Sequence, residues 1–266
     1  MTTLVGGVGG LSNHRIAYSN LAAGITPVVT SESSGYEAVN ALTWLSSQQW
    51  LAASSATQYF QLDLGSAVGI DCFGAYKHNL GDVAGSLLVQ YSTSSLGGTF
   101  TTLFAINPGA ANSGGNRTLF RINSNQVSAR YWQFVFSGHN AAPRAGVLFL
   151  GASTLLPAPD HPFRVPRLNR ASEILNNESE SGEFLGRSLL RAGFVTGFKL
   201  GKVAETWARD NWDPVQKGLE INPFFWAFDA GRYPDDAYLC FTDKRPRETK
   251  SVKPVHVDIE VTFFAK

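Results

Sequence analysis

Five histidines, two cysteines and one run of carboxylates are the residues on which chemistry could rest. His14, His78, His139, His161 and His256 are scattered along the chain. No His-Glu-x-x-His, Gly-x-Ser-x-Gly or phosphate-loop pattern ties any of them to a nucleophile or a metal partner. Each is expected as a solvated or hydrogen-bonded residue. Cys72 and Cys240 lie far apart in strand-like apolar runs, which suits buried free thiols better than a disulfide framework. The acidic run Glu173 to Glu183, EILNNESESGE, could present two carboxylates to a glycosidic bond. No second motif builds a cleft around it, so a polar loop or exposed edge is the expectation. The glycines of Gly6 to Gly10 have no strand before them and no Lys-bearing helix after them, as a flexible arm would. No catalytic residue, cofactor or metal site is assigned, and the chain is read as a non-enzyme.

Side chains suited to binding stand elsewhere. Trp44 and Trp50 flank a polar loop, and Tyr76, His78 and Asn79 follow an apolar run. Arg117 closes a Gly/Asn stretch, and His139 and Arg144 bracket another polar segment. These supply the donors, acceptors and aromatic faces that sugar hydroxyls and ring faces need. Burial competes with stacking at the two tryptophans, and ordinary solvation competes with ligand binding at the polar positions.

The elements that must position these residues differ between the two halves of the chain. The 266 residues carry 22 Lys+Arg and 21 Asp+Glu, a net charge of +1. So balanced a chain exerts no long-range pull on nucleic acid or anionic lipid. Residues 1–153 hold only six of the basic and five of the acidic side chains, leaving sixteen of each sign for 154–266. The Pro-rich stretch Leu155 to Pro166, LLPAPDHPFRVP, reads as a semi-rigid linker between domains 1–154 and 167–266. In the first half, period-two alternation predicts strands at 59–64, 70–76, 87–91, 100–106, 117–122, 131–136 and 146–150, with Gly, Ser and Asn at the turns. In the second, strands are predicted at 188–200 and 255–264. A helix is predicted over 202–218, with a start signal at Asp213-Pro214. The run 221–228, INPFFWAF, is a core strand or an interface anchor. The basic stretch 244–253 reads as a hairpin tip or loop. The fold class is mainly β, a sandwich followed by a smaller β-rich α+β domain.

The first half resembles the discoidin, or coagulation-factor type C, domain of the galactose-binding-like kind. Five features carry the resemblance, in family order: the Ala38-Val39-Asn40-Ala41 stretch, Trp44, Leu62-Asp63-Leu64-Gly65 ending an aromatic-rich strand, Tyr91-Ser92, and Arg130-Tyr131. The resemblance covers most of residues 30–151 and implies a jelly roll that binds ligands with the loops at one end. Trp44, Trp50, Tyr76, His78, Asn79, Arg117, His139 and Arg144 are then candidate carbohydrate ligands. No Cys pair brackets the module as in animal members, and Leu42-Thr43 replaces the usual Asp-Gly, so no calcium site is inferred. Asp63 itself is expected to lock the strand end by accepting N–H groups of the turn.

The second half looks similar in type to small β-sandwich modules of bacteriophage tail and baseplate proteins. Phe224, Phe225, Trp226 and Phe228 are candidates for an oligomer interface, where aromatics concentrate. No secretory signal and no apolar span is read from the sequence. Together these readings suggest a virion structural protein of a phage tail tip or baseplate, made in the host cytoplasm. Its partners would be other tail proteins, further copies of itself and a cell-surface glycan, with neither nucleic acid nor membrane insertion. Two alternatives stand beside it: an accessory carbohydrate-binding module of a polysaccharide-active enzyme, and a purely structural tail protein without glycan binding.

Overall fold

Alternating apolar side chains fold into strands, some of them longer than the sequence predicts. The computed structural model describes residues 14–107, 118–159, 170–229, 237–242, 244–250 and 255–265. The first strands are β1 (Arg15–Ala17), β2 (Val28–Val29), β3 (Trp50–Leu51), β4 (Gln58–Tyr76), β5 (Ser86–Ser92) and β6 (Thr101–Ile106). They are followed by β7 (Thr118–Ser137), β8 (Arg144–Ala145), β9 (Val147–Gly151), β10 (Thr154–Leu155), β11 (Arg170–Glu178) and β12 (Phe184–Ala204). The last are β13 (Phe224–Ala227), β14 (Ala237–Phe241), β15 (Arg247–Lys250) and β16 (His256–Ala265).

The chain forms two units, cut differently from the expected division. One comprises Met1–Leu156 together with Ile221–Leu239, and the other Pro157–Glu220 with Cys240–Lys266. The expected linker therefore marks only the first boundary. Of that stretch, Leu155 ends strand β10, Leu156 is buried, and residues 160–166 lie outside the described residues.

In the first unit, two pairs of predicted strands merge. The runs 59–64 and 70–76 are one strand, β4, and 117–122 and 131–136 are β7. The two pair antiparallel along their length, with a register shift between Asp63 and Val68. Phe134 pairs with Phe60, thirteen residues before Phe73. A straight strand would hold Phe73 and Phe134 about 40 Å apart, yet their ring centroids are 5.1 Å apart. The β4–β7 ribbon therefore folds over at residues 64–68 and supplies both layers of a jelly-roll sandwich. One layer runs β2, β4, β7, β5, β6 through the first half of β4, and the other adds β9 to its second half. Phe60, Leu62, Phe73, Leu87, Trp132, Phe134, Phe136 and Leu148 fill the space between.

The fold-over point is locked by charge and turn geometry. Asp63 Oδ1 accepts the N–H of Gly65 at 2.8 Å, and Gly65 has φ +77°, a left-handed conformation that glycine adopts without strain. Arg130 grips the same carboxylate with two donors, at 2.6 and 2.8 Å. These bonds lower the Asp63 pKa to about 2. The turn-locking role expected for Asp63 is thus seen.

The aromatic run occupies a third layer of the same unit. β13 pairs with β1, which also pairs with β10. Phe225 lies on the outer face of the second layer, stacked on Phe120 at 5.2 Å and touching Phe149 and Trp44. Gly74 makes room for it, since a Cβ there would come within 2.7 Å of the Phe225 ring. Phe224, Phe225 and Trp226 are fully buried within the chain. The oligomer-interface expectation for these three is corrected: their apolar area is spent on the chain's own packing. Phe228 is half-buried, with its ring beside Trp226 and His14.

In the second unit, β12 pairs with β11 and β16, and β16 also pairs with β15 and with Cys240 and Phe241 of β14. The basic stretch is therefore partly strand, and residues 251–254 lie outside the described residues. The acidic run is an exposed edge strand and its turn. The helix starts at Glu205, later than predicted, because β12 continues to Ala204. Asp213-Pro214 lies inside the helical stretch, where a π-turn over Ala208–Trp212 leads into the helix Asp213–Ile221. Proline clashes with the carbonyl four residues back. A π-turn just before it widens the helix and relieves that clash. Trp212 packs edge-on against Phe198, and Leu200, Val215, Leu219 and Ile259 are buried in the same unit.

Candidate functional site: the loop end of the sandwich

Three described connections meet where β4 ends: residues 43–49, 77–85 and 138–143. Gly146 donates its N–H to both Tyr76 O and Lys77 O at 3.2 Å. A Cβ on Gly146 would touch Lys77 Cβ at 3.1 Å and Ser46 O at 3.2 Å, so the loop bearing Trp44 lies against the other two. The short ladder β3–β8 places Leu51 opposite Arg144.

Side-chain amides hold these loops. Asn79 donates from Nδ2 to Ala142 O at 2.9 Å and accepts the Arg144 N–H on Oδ1 at 2.8 Å. Its own carbonyl accepts the N–H groups of Asp82 and Val83. Asn20 plays the same part for the Trp44 loop, donating to Leu42 O and Leu148 O and accepting from Ala22 and Leu150. Glu32 accepts the Ala38 N–H at 2.7 Å, at the start of the 3-10 turn Ala38–Leu42 that leads into Trp44. Sequence reading missed Asn20 and Glu32, because an amide that bonds to main chain far along the sequence has no local signature.

The candidate ligands separate into supports and presenters. Trp50 is fully buried against Phe60 and Phe136 and donates from Nε1 to Ser31 O, so it cannot stack on a sugar. Tyr76 belongs to the apolar cluster under β13. His78 is fully buried, accepts the Leu80 N–H on Nδ1, and has its pKa lowered to about 4 by burial, offset in part by Asp82. His139 is buried with Nδ1 2.5 Å from Ala84 O, and burial lowers its pKa also. Asn79 is spent on the loops. Trp44 is half-buried, leaning on Phe149 and Phe225, and the Arg144 side chain is exposed. Lys77, directly after β4, is held at φ +54° and half-buried. Arg117 lies outside the described residues.

Among the described residues no group of three His, Cys, Asp or Glu side chains could hold a metal ion. Cys72 and Cys240 are both buried, and burial pushes both thiols up, away from the nucleophilic thiolate. Asp71 is buried as well and spends its carboxylate on Ser153 N and Oγ.

No protein-family model matches the chain, and no curated protein does. Solved structures similar to half of it include chitosan-binding module 1 of a chitosanase/glucanase from Paenibacillus sp. IK-5, at 19% identity and a TM-score of 0.43 over 50% of this chain and 99% of that one. CBM32-1 from a family 31 glycoside hydrolase of Clostridium perfringens matches at 17% identity and 0.43, over 51% and 99%. CpGH89CBM32-5 from Clostridium perfringens, solved with GalNAc-beta-1,3-galactose, matches at 22% and 0.41, over 50% and 100%. The jelly roll itself stands on the register of β4 with β7 and on the ring contacts across it.

Proposed function

We propose that this protein is a non-enzymatic glycan-binding structural protein of a phage tail tip or comparable particle. In this reading the loop end of the sandwich meets cell-surface saccharide and the second unit assembles copies. The observation that carries the binding part is the loop frame: Asn79 and Asn20 fix three loops by main-chain bonds and leave Trp44, Lys77 and Arg144 at their rim. Loops ordered in advance lose less entropy on binding, so a few donors and one aromatic edge suffice for weak affinity. Symmetric copies would raise that affinity by avidity. An accessory module of a polysaccharide-active enzyme would use the same rim, without self-assembly.

The test is adsorption of the full chain to a saccharide panel, read with Trp44→Ala and Arg144→Ala. Each substitution is expected to weaken binding about tenfold, the equivalent of one hydrogen bond to a charged group or one stacking contact. Unchanged binding by both, in folded protein, would remove the loop end from the reading.

A further inference from the structure

The solvent face of the first sandwich layer carries a groove whose described lining includes none of the loop candidates. Tyr59, Gln61 and Gln133 line it from β4 and β7, with Val28, Val29 and Thr30 on one side and Leu96, Gly97, Gly98 and Phe100 on the other. Its volume is about 410 Å³, within the range of small-molecule sites.

The groove is floored by a cross-strand amide ladder. Gln61 Nε2 donates to Leu96 O at 3.2 Å and to Gln133 Oε1 at 3.1 Å. Gln133 Nε2 donates to Gln90 Oε1 at 2.7 Å, and Gln90 Nε2 to Thr102 Oγ1 at 2.9 Å. Each amide is thereby fixed in orientation by its neighbour. With both hydrogens of Gln61 engaged, its Oε1 is left as an acceptor, and Gln133 Nε2 retains a second hydrogen. Beside them Tyr59 is 44% exposed. Among the described residues no charged side chain lines the groove, and on β4 and β7 Asp63 pairs with Arg130.

We infer that this groove is a second saccharide site, taking a neutral oligosaccharide along the sheet face. An uncharged floor of oriented amides matches hydroxyl groups that both donate and accept. An exposed phenol ring offers a flat apolar face to the C–H side of a sugar. An anionic saccharide or an acidic peptide would find no cation among the described lining residues to offset its desolvation. The inference shares its ligand class with the proposed function but not its residues.

The experiment is calorimetric titration of the full chain with neutral tetrasaccharides, reading stoichiometry and affinity together. Two sites per chain are expected. Gly97 has open space where a Cβ would stand and no left-handed φ, so Gly97→Trp fills the groove without strain. Gly97→Trp and Tyr59→Ala are each expected to cut the stoichiometry to one, while Tyr59→Phe keeps two. Arg144→Ala is expected to weaken the other site about tenfold and leave the groove unchanged. If the groove variants change neither stoichiometry nor affinity, the second site is overturned and the loop end stands alone. If they abolish all binding while Arg144→Ala has no effect, the groove stands and the loop-end reading fails. A chain that binds an uncharged peptide but no saccharide overturns both.

Discussion

Asn79 shows what a residue type does and does not say. Its amide supplies a donor and an acceptor, as a sugar ligand would require, yet both are used on the main chain of Ala142 and Arg144. The same holds for Trp50 and His78: the sequence identifies groups with binding chemistry, and only the fold tells which face solvent. At this scale the buried histidines give a pH dependence. Burial lowers His14 and His78 to about 4 from 6.5. Between these values the unfolded chain binds more protons than the folded one, so stability is present above about pH 6.5 and falls as pH drops towards 4. Each histidine contributes about 1.4 kcal/mol per pH unit in that window as an upper bound. Urea midpoints should therefore decline steeply between pH 6.5 and 4.5. A flat profile would mean that neither imidazole is held neutral.

Elements were legible where the pattern is local. β5, β6, β9 and β16 fall within a residue or two of their predicted bounds, because half-buried strands advertise themselves by alternation. The fold-over of β4 was not legible: Gly65-Ser66 reads as a chain reversal, while the ladder resumes with β7 at Val68. Nor was the third layer, since nothing in Ile221 to Phe228 names the sheet it covers. That layer depends on a glycine. Gly74→Ala would drive a methyl group into the Phe225 ring, an overpacking cost of about 1–3 kcal/mol. Adding Phe225→Leu should recover part of the loss, and a double-mutant cycle by thermal unfolding measures the coupling. Strictly additive effects would show that the ring does not press on that strand.

For the whole molecule, the feature to explain is the β11–β12 hairpin. Phe184 and Leu185 are 63% and 68% exposed, and Ile174, Leu175 and Leu189 are also largely uncovered. β11 ends its sheet as an edge strand, and a two-stranded ribbon is marginal in water on its own. The proposed assembly role gives it a use: light scattering on the full chain should show a closed oligomer, and Phe184→Glu with Leu189→Glu should lower its mass to that of one chain. A wild-type monomer at high concentration would count against assembly and favour the accessory-module reading. Sequence reading placed the interface in the Phe224 to Phe228 run because that is where aromatic residues concentrate, but composition does not distinguish a covered aromatic from an open one.

The third layer of the first unit also sets an order of events during synthesis. β4, β7 and β9 are complete when Gly151 has been made, but β13 follows about seventy residues later, several seconds at ordinary elongation rates. For that interval Cys72, Tyr76, Phe120 and Phe149, which pack in the cluster with Phe225 and Ala227, have no cover from β13. The nascent sandwich therefore presents an adhesive face before its lid exists, and a chain truncated at the Pro-rich stretch would keep that face for good.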